Sequence, residues 1–130
     1  MSSNYNIQEA QKRIAIAREE RLLFLDLSSL HLDFLPEDIS DMMHLFEIDV
    51  SYNRFKEFPN SLSKLTNLQR LDISNNLLQD VNFVEGFYYS LQFLNISSNL
   101  LNHVPRDLFF INAEILFDNN PFLDGLPIEI

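Results

Sequence analysis

Cysteine is absent from the 130-residue chain. That excludes disulfide scaffolds, thiolate zinc sites and cysteine nucleophiles, and it fits a reducing compartment. Glycine is almost absent: the 2 glycines are Gly86 and Gly125. Neither GxGxxG nor GxxxxGK can be written with them, so the usual phosphate-cradling loops are excluded. Positive charge is scarce, with 9 Lys and Arg against 19 Asp and Glu and a net charge of -10. General nucleic-acid binding needs cations against phosphate, and so does adhesion to an anionic membrane. Neither nucleic acid nor membrane is an expected partner. No apolar run approaches the ~20 residues of a membrane span. The N-terminal stretch from Met1 to Asn6 is polar and shows no signal peptide, and Ser2 stands where myristoylation needs Gly. A cytoplasmic protein is the expectation. Hydrophobic residues make up 46% and charged residues 22%, enough for one domain with a core.

What the chain does have is a repeat. Leu25-Asp26-Leu27-Ser28 recurs as Ile48-Asp49-Val50-Ser51, Leu71-Asp72-Ile73-Ser74 and Leu94-Asn95-Ile96-Ser97, 23 residues apart each time. A looser copy, Ile115-Leu116-Phe117-Asp118, follows after 21. The expected units are 22–44, 45–67, 68–90, 91–111 and a partial 112–130, which together make a repeat domain over 22–130. Counting from Leu22, Leu45, Leu68 and Leu91, apolar residues hold positions 1, 4, 6, 11 and 14. Position 9 is Asn53, Asn76, Asn99 and Asn120 in units two to five, and position 15 is Pro36, Pro59 and Pro105.

Apolar positions 4 and 6 alternate with polar 3, 5 and 7, the period of a half-buried strand. Proline at position 15 blocks a helix and suits an extended or 3-10 return on the opposite side. One unit cannot bury its apolar face alone, whereas stacked units bury a continuous one. The expected result is a curved solenoid with a parallel sheet on its inner face.

The pattern LxxLxLxxNxLxxLP at this period resembles the leucine-rich repeat family, over roughly Leu22 to Ile130. Its proline-containing form is similar to intracellular Ras-pathway scaffold repeats. The resemblance implies an α/β fold, a short horseshoe with a parallel concave β-sheet and an irregular or 3-10 convex side, and a role in binding other proteins. Unit one departs from the pattern with Leu30 at position 9. Unit three departs with Asn82-Phe83-Val84-Glu85-Gly86-Phe87, whose apolar residues are shifted, so a rearranged convex side turning at Gly86 is expected.

Residues 1–21 form a leader. Ile7, Ala10, Ile14 and Ala17 make one apolar stripe, predicting an amphipathic capping helix over 7–20 with Asn6 as its cap and Glu9 completing a capping box. It should dock on the first repeat and shield its strand. At the other end, Leu126-Pro127-Ile128-Glu129-Ile130 matches Leu35-Pro36-Glu37-Asp38-Ile39, so the chain is expected to stop within a repeat. The edge strand at 115–117, with Phe117, Phe122 and Leu123 nearby, then becomes a candidate for self-association, unless the last segment folds back as a cap.

Candidate sites follow from the columns. The Asn column of Asn53, Asn76, Asn99 and Asn120 is expected to serve backbone groups after each strand rather than a ligand. Position 5 (Asp26, Asp49, Asp72, Asn95, Leu116) and position 7 (Ser28, Ser51, Ser74, Ser97, Asp118) are expected to serve generic solvation, while the three stacked carboxylates offer a place for a partner's Lys or Arg. The variable positions 3, 8 and 10 are better placed to select a partner: Phe24, Glu47, Tyr52, Arg54, Arg70 and Phe93. Tyr and Arg are enriched where binding energy concentrates. A competing expectation is that the leader helix covers Phe24 and a C-terminal segment covers Phe93. His31, His44 and His103 occupy different positions, so no metal site is expected, nor any catalytic residue or cofactor. Asn95-Ile96-Ser97 is a glycosylation sequon placed inside a strand.

These readings converge on a non-enzymatic module that binds a protein or peptide on the concave face and its rims. The alternative is a structural or regulatory subunit of a larger assembly, such as a phosphatase, GTPase or ciliary motor complex, or a host-directed bacterial effector. Five strands ~4.8 Å apart span only ~20 Å. That is small against the ~800 Å² per partner of a standard interface, so a globular partner must also touch a rim.

Overall fold

The computed structural model describes residues 3–83 and 86–123. The chain opens with a helix, α1 (Ser3–Glu19), followed by five three-residue strands: β1 (Phe24–Asp26), β2 (Glu47–Asp49), β3 (Arg70–Asp72), β4 (Phe93–Asn95) and β5 (Glu114–Leu116). All pair in parallel in sequence order, β1-β2-β3-β4-β5. A 3-10 turn follows each of the first four strands on the opposite side of the core: Glu37–Asp41, Asn60–Lys64, Phe87–Ser90 and Arg106–Phe110; a fifth, Pro121–Leu123, lies just past Asn120. Pro36, Pro59 and Pro105 each immediately precede one of these turns. Their fixed φ leads the chain into the turn, and the missing N–H costs nothing there.

The core lies between the two sides. Leu25, Ile48, Leu71 and Leu94 stack in one buried row, and Leu27, Val50, Ile73 and Ile96 in the next. From the returns, Leu32, Ile39, Met42, Phe55, Leu62 and Leu65 close on them. Unit three differs as its sequence predicts. Gly86 takes φ 96, a left-handed turn that suits glycine, and Phe87 behind it is fully buried. Phe58, Phe83 and Phe87 pack together with ring centroids 4.9 to 5.6 Å apart.

Two expectations at the N-terminal end need correcting. The helix already runs from Ser3, so Asn6 is not its cap but a buried residue inside it. Glu9 does not complete a capping box; it pairs with Arg13 at 2.9 Å, one turn on. The polar residues before Ile7 carry only a weak helix penalty, so the helix begins ahead of the apolar stripe. The helix ends in a Schellman motif: Arg21 takes φ 50, its N–H bonds the Arg18 carbonyl, and Leu22 N–H bonds Ala17. Leu22 therefore belongs to the helix exit, and it is 41% exposed where Leu45, Leu68 and Leu91 are buried.

Ala10, Ile14 and Ala17 seal the first repeat. Arg13 Nη1 donates to the Asp26 carbonyl at 3.0 Å on the edge of β1. Arg18 donates to the Asp38 carbonyl and, at 2.9 Å, to Asp41 Oδ1. That last hydrogen bond is the main reason the Asp41 carboxyl is held below the usual carboxylate range. At the far end, β5 has a neighbour on one side among the described residues. Phe117 is 42% exposed there, although its counterparts Leu27, Val50, Ile73 and Ile96 are buried. Phe122 stacks on it at 6.0 Å. The Leu126-Pro127-Ile128-Glu129-Ile130 segment lies outside the described residues.

Candidate functional site

Four columns run along the repeats, each with its own chemistry. The Asn column points into the core. Asn53 Oδ1 accepts from the N–H groups of Leu30 (3.1 Å) and Leu32 (2.8 Å) in the preceding unit. Its amide nitrogen donates to the carbonyls of Leu27, Val50 and Ser51 at 2.9 to 3.2 Å. Asn76 repeats this with Phe55 N–H as donor and the carbonyls of Val50, Ile73 and Ser74 as acceptors. Asn99 takes Leu78 N–H, and Asn120 takes the N–H groups of Asn99 and Leu101. All four are at most 6% exposed. Among the described residues no buried side-chain nitrogen or oxygen lacks a partner.

The Asp and Ser columns lock each other. Asp26 Oδ1 accepts from Ser28 N–H (2.9 Å) and from Ser28 Oγ (2.6 Å). Asp49 with Ser51, Asp72 with Ser74 and Asn95 with Ser97 repeat both bonds. Each Asp-x-Ser thus holds its own turn, a role beyond the generic solvation expected from the sequence. Asn95 does the same with an amide oxygen, which explains why it substitutes for Asp without breaking the column.

The variable column lies on the open face. Strand register aligns Phe24, Glu47, Arg70, Phe93 and Glu114 side by side. Arg70 sits between its neighbours: Nε is 3.7 Å from Glu47 Oε1, and the guanidinium carbon lies 4.4 Å from the Phe93 ring centroid. An arginine held by a carboxylate on one side and an aromatic face on the other is stacked and pre-oriented. Phe24 is 46% exposed, so the leader helix does not cover it. Phe93 carries Arg70 on its ring.

Tyr52 and Arg54 sit apart from this row, at the rim after β2. Position 8 adopts the left-handed conformation in all five units, at Ser29, Tyr52, Asn75, Ser98 and Asn119 with φ from 55 to 58. Asn tolerates this region, whereas a bulky residue rarely enters it. Tyr52 does so while 61% exposed, so packing returns little of the strain. The sequence signal for this turn is the Asn at positions 75 and 119; Tyr52 and the two serines conceal it. Arg54 Nη2 lies 3.2 Å from His31 Nδ1, across the two units.

No three His, Cys, Asp or Glu side chains gather at metal-binding distances among the described residues. His103 instead pairs with Asp80 at 3.2 Å. No helix among the described residues is long and apolar enough to cross a membrane.

The parallel sheet, its 3-10 convex side and the helix at its N-terminal end make this a leucine-rich-repeat solenoid. The family model for leucine rich repeats, in two copies, matches residues 44–86, from the end of the first unit to the turn at Gly86. Comparison with curated proteins finds no match.

Proposed function

We propose that this chain is a non-enzymatic module that binds a protein or an extended peptide across the open face of the sheet. The observation that carries the reading is the Glu47–Arg70–Phe93 row. It is half-exposed, held in one geometry by its own members, and flanked by the uncovered ring of Phe24. Pre-orientation lowers the entropy lost when a partner docks. Aromatic and Arg side chains are the usual anchors. Tyr52 and Arg54 extend the surface onto the rim, which a partner larger than a peptide needs. The Asn column takes no part in binding and holds the turns that aim the row. Screening a displayed peptide library against the intact protein, then measuring the selected peptides on Arg70→Glu and Phe93→Ala, tests this reading. Loss of affinity with normal melting supports it.

A second reading has its own observation. Phe109 and Phe110, 77% and 67% exposed, stand on the convex side and are more exposed than any aromatic of the open face. A structural or regulatory subunit held by its convex side and edges would use them. Under that reading the side of β5 that has no neighbour among the described residues, beside Phe117, is where a second copy or another subunit adds. Sedimentation across a concentration series decides on self-association: a concentration-independent monomer removes it.

A further inference from the structure

We infer that the rim cleft between the turns after β1 and β2 is a binding site for an oxyanion on the partner, a carboxylate or phosphate group gripped by Arg54 and His31 beside Tyr52. The inference rests on the protein-binding reading and adds the chemistry of one contact. The cleft has a volume of about 450 Å³ and is lined by Ser29, His31, Tyr52, Asn53, Arg54 and Asn75. None of these is acidic, although the chain carries 19 Asp and Glu.

Arg54 has no carboxylate partner among the described residues, in contrast to Arg13, Arg18 and Arg70. It is nonetheless held in place. A guanidinium can only donate, so in this contact the acceptor is His31 Nδ1. The guanidinium, the His31 imidazole and Tyr52 line the cleft together. Asn53 is spent on the backbone. A cleft lined by a cation and polar side chains, with no carboxylate in its lining, is complementary to an acceptor-only group, and Arg matches the planar or tetrahedral oxygens of carboxylate and phosphate.

Backbone geometry shapes the cleft. Ser29, His31, Tyr52 and Asn75 all have positive φ, from 56 to 58. Position 8 takes this conformation in every unit, so it belongs to the repeat; at Tyr52 it sets a large side chain in the lining of the cleft. The net charge of -10 opposes a free anion at long range. The range of that repulsion is about 8 Å at physiological salt. The group is accordingly placed on a partner that also contacts the open face.

The test is an NMR titration of the intact protein with inorganic phosphate and, separately, with acetate, at constant ionic strength near 0.15 M. The expected result is saturable shifts at the Arg54 side chain and at the amides of His31 and Tyr52. Arg106, also without an ion pair among the described residues, should not respond in this way. Arg54→Gln should weaken the response at least tenfold, with Arg106→Gln as the unaffected control. Binding of acetate assigns a carboxylate, and binding of phosphate alone assigns a phosphorylated side chain. Non-saturable shifts, an equal response at Arg106, or shifts that survive Arg54→Gln overturn the site. That failure would leave the open-face reading standing, because Arg70→Glu and selected peptides test it separately.

Discussion

The buried Asn column and the exposed row of Phe24, Glu47, Arg70 and Phe93 run across the same strands, yet they obey opposite rules. In the column every unit from the second onward has the same residue, and each amide serves backbone groups of its own turn and of the unit before it. In the row each unit differs from its neighbour, and the contacts run sideways between them. The difference teaches how a solenoid separates its tasks. A position that satisfies buried backbone groups has one workable chemistry and is repeated. A position that faces solvent is free to vary, and the proposed binding row lies at such positions.

The largest effect that would break this comparison belongs to the column. Asn76→Ala strands buried backbone groups that the cavity cannot rehydrate, and should cost about 2 kcal/mol or more in a urea melt. An unchanged midpoint would remove the distinction between column and row. A smaller effect of opposite sign is expected at the rim. Tyr52→Asn replaces a bulky residue at φ 57 with one that tolerates it, and should stabilise the fold by about 1 kcal/mol. A loss of stability there would mean that the Tyr52 ring contributes packing its exposure does not show.

The smallest effect belongs to the exposed ion pair Arg18–Asp41. Hydrogen bonding to Arg18 depresses the Asp41 carboxyl. Its contribution to stability is therefore present above the ordinary carboxylate pKa of about 3.9 and is lost as pH falls through the lower folded value. Melts of the wild type and Asp41→Asn should differ slightly at neutral pH and converge in acid. High salt should also close the gap, since the pair is solvent-exposed. A difference that persists at low pH would point to the Asn side chain rather than the charge.

Much of this architecture was legible in the residues because the signals are redundant. Leu25, Ile48, Leu71 and Leu94 repeat at one spacing, and a strand of period two with a proline-led return has few ways to stack. Gly86 marked the one irregular return because only glycine enters φ 96 without strain. Legibility failed where one residue type serves two geometries. Asn6 resembles a cap but lies inside α1, since a cap and a helix interior differ by docking that local sequence does not encode. Arg21 closes the helix in a left-handed conformation usually marked by glycine. The Asp-x-Ser locks were hidden behind their solvent-facing appearance. The cross-strand contacts of Arg70 were hidden too, because they depend on register between residues 23 apart.

The most direct test of the central claim applies one variant to two readouts. Peptides selected against the intact protein are titrated against Arg70→Glu, and the same sample is melted in urea. Arg70→Glu places a second carboxylate beside Glu47 and removes the cation from the Phe93 ring, while Leu71 and the Asn column are untouched. The account predicts an affinity loss of at least tenfold, about 1.4 kcal/mol, with a midpoint change worth less than about 1 kcal/mol. Unchanged affinity in Arg70→Glu, together with loss of binding in Phe109→Ala or Phe110→Ala, would contradict it and move the binding surface to the convex side.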